Sequence, residues 1–258
     1  SYGEYLQLEK VLNAQHSLAN QHDEMLFIIM HQTAELWMKL CLHELKAAMQ
    51  KIREDNLRPA FKMLSRVSRI QAQILQSWEV LTTMTPSDYL EFRDALGQAS
   101  GFQSYQYRLM EYAIGNKNAA LMKVHKSHPE IYKMLEEALQ APSLYDEVLI
   151  LLSKRGYAIP ESYTNRDWSE PYKPSKEVEA VWQSIYQNAN DHWDVYELAE
   201  KLVDLEYNFQ KWRFSHLKTV ERIIGMRRGT GGSAGVSYLQ KALDLSFFPE
   251  LWSVRTEI

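Results

Sequence analysis

Two histidines occupy helix positions where apolar residues are expected, and they are the side chains best placed for chemistry. His31 falls in the series Phe27, His31, Ala34, Met38, Leu42, Leu45. His216 falls in the series Val195, Leu198, Leu202, Leu205, Phe209, Trp212, His216, Val220, Ile223. Both series advance by three or four residues, the spacing of one helix face. An imidazole on a buried face can be a core histidine satisfied by one hydrogen bond, a proton-handling group, or a metal ligand. Two long helices that each turn one imidazole inward point to a shared cavity between them. Two unrelated core histidines are the plainer alternative.

Several metal chemistries can be tested against the spacing. A di-iron carboxylate bundle needs Glu-x-x-His pairs, because that spacing aims both ligands at one metal. No histidine here has a glutamate three residues before it. HExxH is absent, since His43-Glu44 is followed by Leu-Lys-Ala, and no CxxCH offers covalent haem attachment. A thiolate haem ligand would have to be Cys41, which lacks a glycine-rich loop around it. A haem held by one imidazole in an all-helical pocket stays open, because it needs only one ligand histidine, aromatic walls and space opposite.

The rest of the composition narrows the class. The chain has 258 residues, is 45% hydrophobic and 24% charged, and carries 7 Trp, 15 Tyr and 8 Phe. That is enough apolar material for a sizeable core, and flat side chains often wall flat ligands. With only 10 Gly and 8 Pro, many strands and turns are disfavoured. A formal charge of −4 leaves no basic footprint for nucleic acid. The single cysteine rules out an internal disulfide and every CxxC motif, and suits a reducing, cytoplasmic setting. The longest apolar runs, such as MLFIIM, fall far short of the ~20 residues that span a bilayer. No signal peptide is read, and a start at Ser1 without a methionine leaves room for upstream residues.

The elements that would position these residues read as helix nearly throughout. An opening segment, SYGEYLQLEKVLNAQ, leads to a long helix over about 22–55. A second helix follows Arg58-Pro59 and carries Phe61, Leu64, Val67, Ile70, Ile74 and Trp78. Thr85-Pro86-Ser87 starts another, with Tyr89, Arg93 and Leu96, which stops near Gly97 to Gly101. Further helices are expected at about 104–112, 128–139 and 143–152, where VLILL reads as buried helix for want of companion strands. A loop is expected over 156–174, and the longest helix over about 191–225. RRGTGGSAG (227–235) is the only glycine-rich stretch, and it is no phosphate loop because GxxxxGK is absent. No repeat or boundary divides the chain, so 1–258 is expected to be one all-α domain with long core helices.

Three blocks are more specific than their periodicity. HDEMLFIIMHQTAELWMKL (22–40), DYLEFRDALGQASGFQSYQYR (88–108) and WRFSHLKTVERIIGMRRGTGGSAGVSYL (212–239) closely resemble the tryptophan 2,3-dioxygenase family, bacterial type, in the family's order. The resemblance extends over essentially the whole chain. It implies a haem b enzyme, ferrous when active, that inserts both atoms of dioxygen across the indole 2,3 bond of L-tryptophan. The product is N-formylkynurenine, and the step is the first of tryptophan catabolism by the kynurenine pathway.

Carried over residue by residue, the resemblance makes His216 the iron ligand and His31 the catalytic histidine facing the indole. It places Phe27, Ile28, Ile29, Met30 and His31 along the substrate, Tyr89 and Arg93 at its carboxylate, and Thr230 at its amino-acid head group. Ser100 and Gly101 are placed beside the haem on the side of His31. It also implies a homotetramer, in which residues 1–20 pack on a neighbour and Tyr2, Tyr5 and Leu6 complete that subunit's pocket. The physical chemistry agrees at one point that spacing can test. Tyr89 and Arg93 are i and i+4, so one helix face can present both to one anion, and a guanidinium matches a carboxylate bidentately. The glycines of 227–235 would allow close backbone approach to a ligand and ordering over bound substrate. His31 is expected to hydrogen-bond the indole N–H rather than to remove its proton. Rival readings are a broader-specificity indoleamine 2,3-dioxygenase, a haem carrier without catalysis, and a helical scaffold.

Overall fold

Scarce glycine and proline translate into long uninterrupted helices. The structure, a computed structural model, describes residues 1–227, 229–230 and 235–258, and no strand occurs among them. Thirteen α-helices are found in the described residues: α1 (Tyr2–Leu6), α2 (Leu8–Leu12), α3 (His22–Arg53), α4 (Leu57–Leu81), α5 (Pro86–Arg93), α6 (Tyr105–Ile114), α7 (Pro129–Gln140), α8 (Leu144–Lys154), α9 (Glu161–Thr164), α10 (Lys176–Gln187), α11 (Trp193–Ile224), α12 (Val236–Leu243) and α13 (Pro249–Ser253). The chain is all-α, as the sequence leads one to expect, and the VLILL run lies within α8. Helix α10 and the short α12 and α13 were not anticipated, and α9 interrupts the expected loop. Of the glycine-rich stretch, residues 228 and 231–234 lie outside the described residues, and its expected ordering over substrate lies there with them.

The frame is built on α4, which packs along both α3 and α11. Its buried residues Leu57, Ala60, Leu64, Val67, Gln71, Ile74 and Leu81 follow the three-and-four spacing. On α3 the matching stripe is Met38, Cys41, Leu45, Ala48 and Ile52. The small residues Ala48 and Ala60, both fully buried, let backbones approach. The turn from α3 to α4 closes with Asn56 N–H donating to Lys51 O at 2.8 Å around Asp55, which takes φ 55°. That is the helix-ending motif usually given to glycine. Here an aspartate adopts it while its carboxylate takes Arg155 Nε at 3.0 Å.

The core spans the second half of α3, the first parts of α4 and α11, and the length of α8 and α10. At the other end of α4 lies a smaller cluster of Leu81, Met84, Tyr89, Phe92 and Ile223, with Phe27, Met30 and Trp78 against it. The first turns of α3, the end of α4, α5 and the end of α11 therefore meet there. Both histidines belong to this end.

Candidate functional site

Helix α3 enters the site through a loop held by one carboxylate. Glu24 is 2% exposed and accepts Leu18 N–H at 2.7 Å, Ala19 N–H at 2.8 Å and the Ser17 hydroxyl. Those bonds hold its pKa below the ordinary value even though burial opposes this. The loop is thereby fixed one turn before Phe27. Phe27 and His31, one turn apart, pack ring on ring with centroids 4.1 Å apart, and Phe27 also meets Phe92 at 5.5 Å and Tyr89 at 6.2 Å.

The protonation pattern of His31 follows from one bond. Its Nδ1 lies 2.7 Å from the Phe27 carbonyl oxygen. A carbonyl can only accept, so Nδ1 carries the hydrogen. Burial pushes the imidazole pKa down, against opposing pulls from the Phe27 carbonyl and from Glu35 one turn on. The neutral ring thus presents Nε2 as a bare acceptor.

Helix α5 is set by its own start. Thr85 caps it, accepting Asp88 N–H at 3.3 Å, while Asp88 reaches back to Thr85 N–H at 2.8 Å, and Pro86 opens the first turn. Tyr89 and Arg93 then share a face. Burial raises the phenol's pKa, and the neighbouring guanidinium, hydrogen-bonded to it, pulls the other way. Past α5 the chain turns through Gly97 (φ 55°) to Ser100, whose hydroxyl accepts Phe102 N–H at 3.3 Å and caps the turn Gly101–Gln103. A side chain at Gly101 would meet nothing within 4 Å. The Thr230 hydroxyl donates to Ala99 O, which ties Thr230 to this turn.

On the opposite wall, His216 of α11 stacks on Trp78 of α4 with centroids 4.8 Å apart and planes 11° apart. Trp212, one turn back, stands 5.4 Å away. Burial drives the His216 pKa down to about 4, and the His31 imidazole opposes a charge there as well. The two histidines are therefore near enough to influence each other, and both are neutral near pH 7. Behind Trp212, α11 is anchored by a buried charge cluster. Glu111 accepts Arg213 Nη2 at 3.0 Å, Asn116 Nδ2 at 3.1 Å, Tyr107 Oη at 3.2 Å and Arg108 Nη1. Arg213 also donates to Ala242 O at 2.9 Å and lies over Phe209 and Phe247.

The structure thus gathers Phe27, Met30, His31, Tyr89, Arg93 and His216 at one end of the molecule, with the Ser100–Gly101 turn tied to Thr230. It does not bring every expected residue in. Ile29 is 45% exposed, and with Met25, Leu36 and Leu40 it forms an outward apolar stripe on α3, while Ile28 is half-buried. Trp78 and Trp212 are the site residues that sequence reasoning treated only as parts of apolar stripes. Their buried indole N–H groups have no partner among the described residues. A neutral imidazole beside flat aromatic rings, with unclaimed N–H donors nearby, fits a planar metal-bearing cofactor held by one protein ligand.

Comparison with known proteins gives the family. A family model described as tryptophan 2,3-dioxygenase matches residues 1–258. A tryptophan 2,3-dioxygenase of Bacillus anthracis is 57% identical over 258 residues, covering 100% of this chain and 92% of that protein. One from Erythrobacter litoralis is 59% identical over 100% of this chain and 98% of its own length. One from Cupriavidus necator is 55% identical over 100% and 88%.

Proposed function

The chain belongs to the tryptophan 2,3-dioxygenase family, and from that premise we propose the part each of its residues takes in the reaction. The activity is dioxygenation of L-tryptophan across the indole 2,3 bond to N-formylkynurenine, which opens the kynurenine pathway. The observation that carries the residue assignments is that α3 and α11 each deliver one neutral imidazole to a single aromatic site, with Tyr89 and Arg93 beside it.

His216 would hold haem b through its iron, with Trp78 and Trp212 beside that imidazole, and Ser100 and Gly101 would border the cofactor as well. When bound, the haem supplies the ferrous iron that activates dioxygen. A proton on His216 would occupy the lone pair a metal needs, and a pKa near 4 leaves the ring free at physiological pH. Phe27 packs against the indole, and Nε2 of His31 accepts the indole N–H. Arg93 and Tyr89 take the substrate carboxylate, and Thr230 approaches the ammonium end. Met30 lies in the same cluster as Phe27 and lines the pocket with it. Water is excluded where Phe27, Tyr89 and Phe92 close together.

The active assembly is a homotetramer whose N-terminal segment completes a neighbour's pocket. What supports this is that α1 and α2 pack chiefly on each other, leaving Tyr2 75% and Tyr5 87% exposed, and that the outward stripe of α3 is apolar. No described helix is long and apolar enough to cross a membrane, and we place the enzyme in the cytoplasm. The test is direct. Purified protein with haem is reduced without air, given tryptophan and then air, and followed in the near ultraviolet for N-formylkynurenine. His216→Ala should remain folded and largely haem-free, with haem returning when free imidazole is supplied. Normal haem content in that variant would overturn the ligand assignment.

A further inference from the structure

Among the described residues, His216 lacks the protein tether that usually orients a histidine ligand. Metal-binding histidines commonly pass their second ring N–H to a carboxylate, a carbonyl or water, which fixes the tautomer and the ring angle. Among the described residues no protein group hydrogen-bonds either nitrogen of His216. His31 is different, because its Nδ1 is tied to its own helix.

Stacking stands in that place. The indole of Trp78 lies nearly parallel to the imidazole, 11° apart, with centroids separated by 4.8 Å. This exceeds ring contact distance, so the rings are offset, the arrangement favoured over a face-on sandwich. The indole belongs to α4, a different helix from its imidazole partner, so the contact fixes the ring relative to the frame. Trp212 is tilted by 41° and can limit displacement but cannot define the plane. Trp212 is itself supported by Tyr107 at 4.9 Å and Phe209 at 5.7 Å. The plane of an imidazole sets the direction of its in-plane lone pairs, and so the direction of any bond to a metal.

We propose that Trp78 is a positioning residue for the haem site, fixing the ring plane of His216 by stacking where a hydrogen bond serves in other histidine sites. This rests on His216 being the iron ligand. A flat apolar partner also leaves both imidazole nitrogens unengaged by the described residues, so ring angle and ligand basicity are set separately.

The test compares wild type with Trp78→Leu, Trp78→Phe and His216→Ala, with Trp78→Met replacing the leucine variant should that one fail to fold. Circular dichroism verifies helix content in each. In the haem-free chain, the ring protons of His216 should show an upfield ring-current shift that Trp78→Leu abolishes and Trp78→Phe keeps in part. In the haem-loaded chain, the ferric electron paramagnetic resonance signal should broaden or split in Trp78→Leu, and haem transfer to an acceptor globin should speed up by about two- to tenfold, the worth of one aromatic pair. Trp78→Phe should restore a single signal, which a loss of general stability would not explain. An unchanged signal and native transfer rate in Trp78→Leu, with haem lost from His216→Ala, would overturn the positioning role alone. Haem retained normally by His216→Ala would overturn the ligand assignment beneath it.

Discussion

Removing the His31 side chain separates two roles that an imidazole above an indole can have. The hydrogen on Nδ1 is committed to the Phe27 carbonyl at 2.7 Å, so only Nε2 can face substrate, and it does so as an acceptor. In His31→Ala the indole N–H loses that acceptor inside a pocket walled by Phe27, Tyr89 and Phe92. An unmade buried hydrogen bond costs about 1–3 kcal/mol, or about 5- to 150-fold in kcat/KM. Haem content should not change, because His216 stands on the other wall. The assay pairs L-tryptophan with 1-methyltryptophan, which has no N–H to give. Wild type should turn over the methylated substrate poorly, since the methyl group meets the imidazole and leaves Nε2 unpaired. His31→Ala opens that space and should be relatively better with it. If His31→Ala keeps its haem and turns over neither substrate, the imidazole is an obligatory base and the hydrogen-bond reasoning is wrong.

Other outcomes follow from single features. Arg93→Leu should retain haem yet weaken tryptophan saturation at least tenfold, since losing a partner of a buried charge costs about 2–5 kcal/mol; unchanged saturation would return Arg93 to a surface role. A Cβ at Gly235, which holds φ +58°, would stand 2.8 Å from Arg227 O. Gly235→Ala should therefore lower the thermal midpoint by roughly 2–12 °C, from a strain of about 1–3 kcal/mol, and an unshifted midpoint would refute the close approach. Burial brings Lys117 from 10.5 down to about 8, while its ammonium donates to Ala138 O at 2.8 Å and Ala141 O at 2.7 Å. The folded chain then sheds this proton before the unfolded chain does, so the stability of wild type relative to Lys117→Met should rise between pH 8 and 10.5, by up to about 3 kcal/mol; a pH-independent difference in urea unfolding would contradict it. Deleting residues 1–8 should reduce activity much more than haem content, and a fully active truncated enzyme would sink the exchange of N-terminal segments.

What could be read in advance was local. His31 and His216 stand out because a helix repeats every 3.6 residues, and a polar residue in an apolar series needs no long-range information to be noticed. The start of α5 was legible for a similar reason, since Thr85-Pro86 and Asp88 cap within one turn. Helix α10 was legible too, with Ser175 as cap and Val178, Val181, Trp182 and Ile185 buried on one face, but the prolines before it drew attention to a loop. Helices α12 and α13 have 8 and 5 residues, too few for a period to declare itself. The contacts that complete the site join distant positions. Thr230 meets Ala99 across 131 residues, and Arg213 meets Glu111 across 102. Trp78 shows the limit most clearly, because its place on an apolar stripe was plain while its partner on α11 was not.

The two imidazoles are held by opposite means, and each means leaves available the atom that the role proposed for it requires. His31 is bonded at Nδ1 to its own helix, which uses up its donor and leaves Nε2 as an acceptor for an indole N–H. His216 is held by its faces, which leaves its in-plane lone pair clear. Burial serves both, since a proton on either ring would defeat it: His31 would lose its acceptor and His216 its lone pair. The same two neighbouring helices that bury the rings, α4 and α5, also supply Trp78 against one and Tyr89 with Arg93 beside the other. A change that merely wets this end of the molecule should therefore weaken ligand holding and substrate recognition together, even where it touches neither histidine.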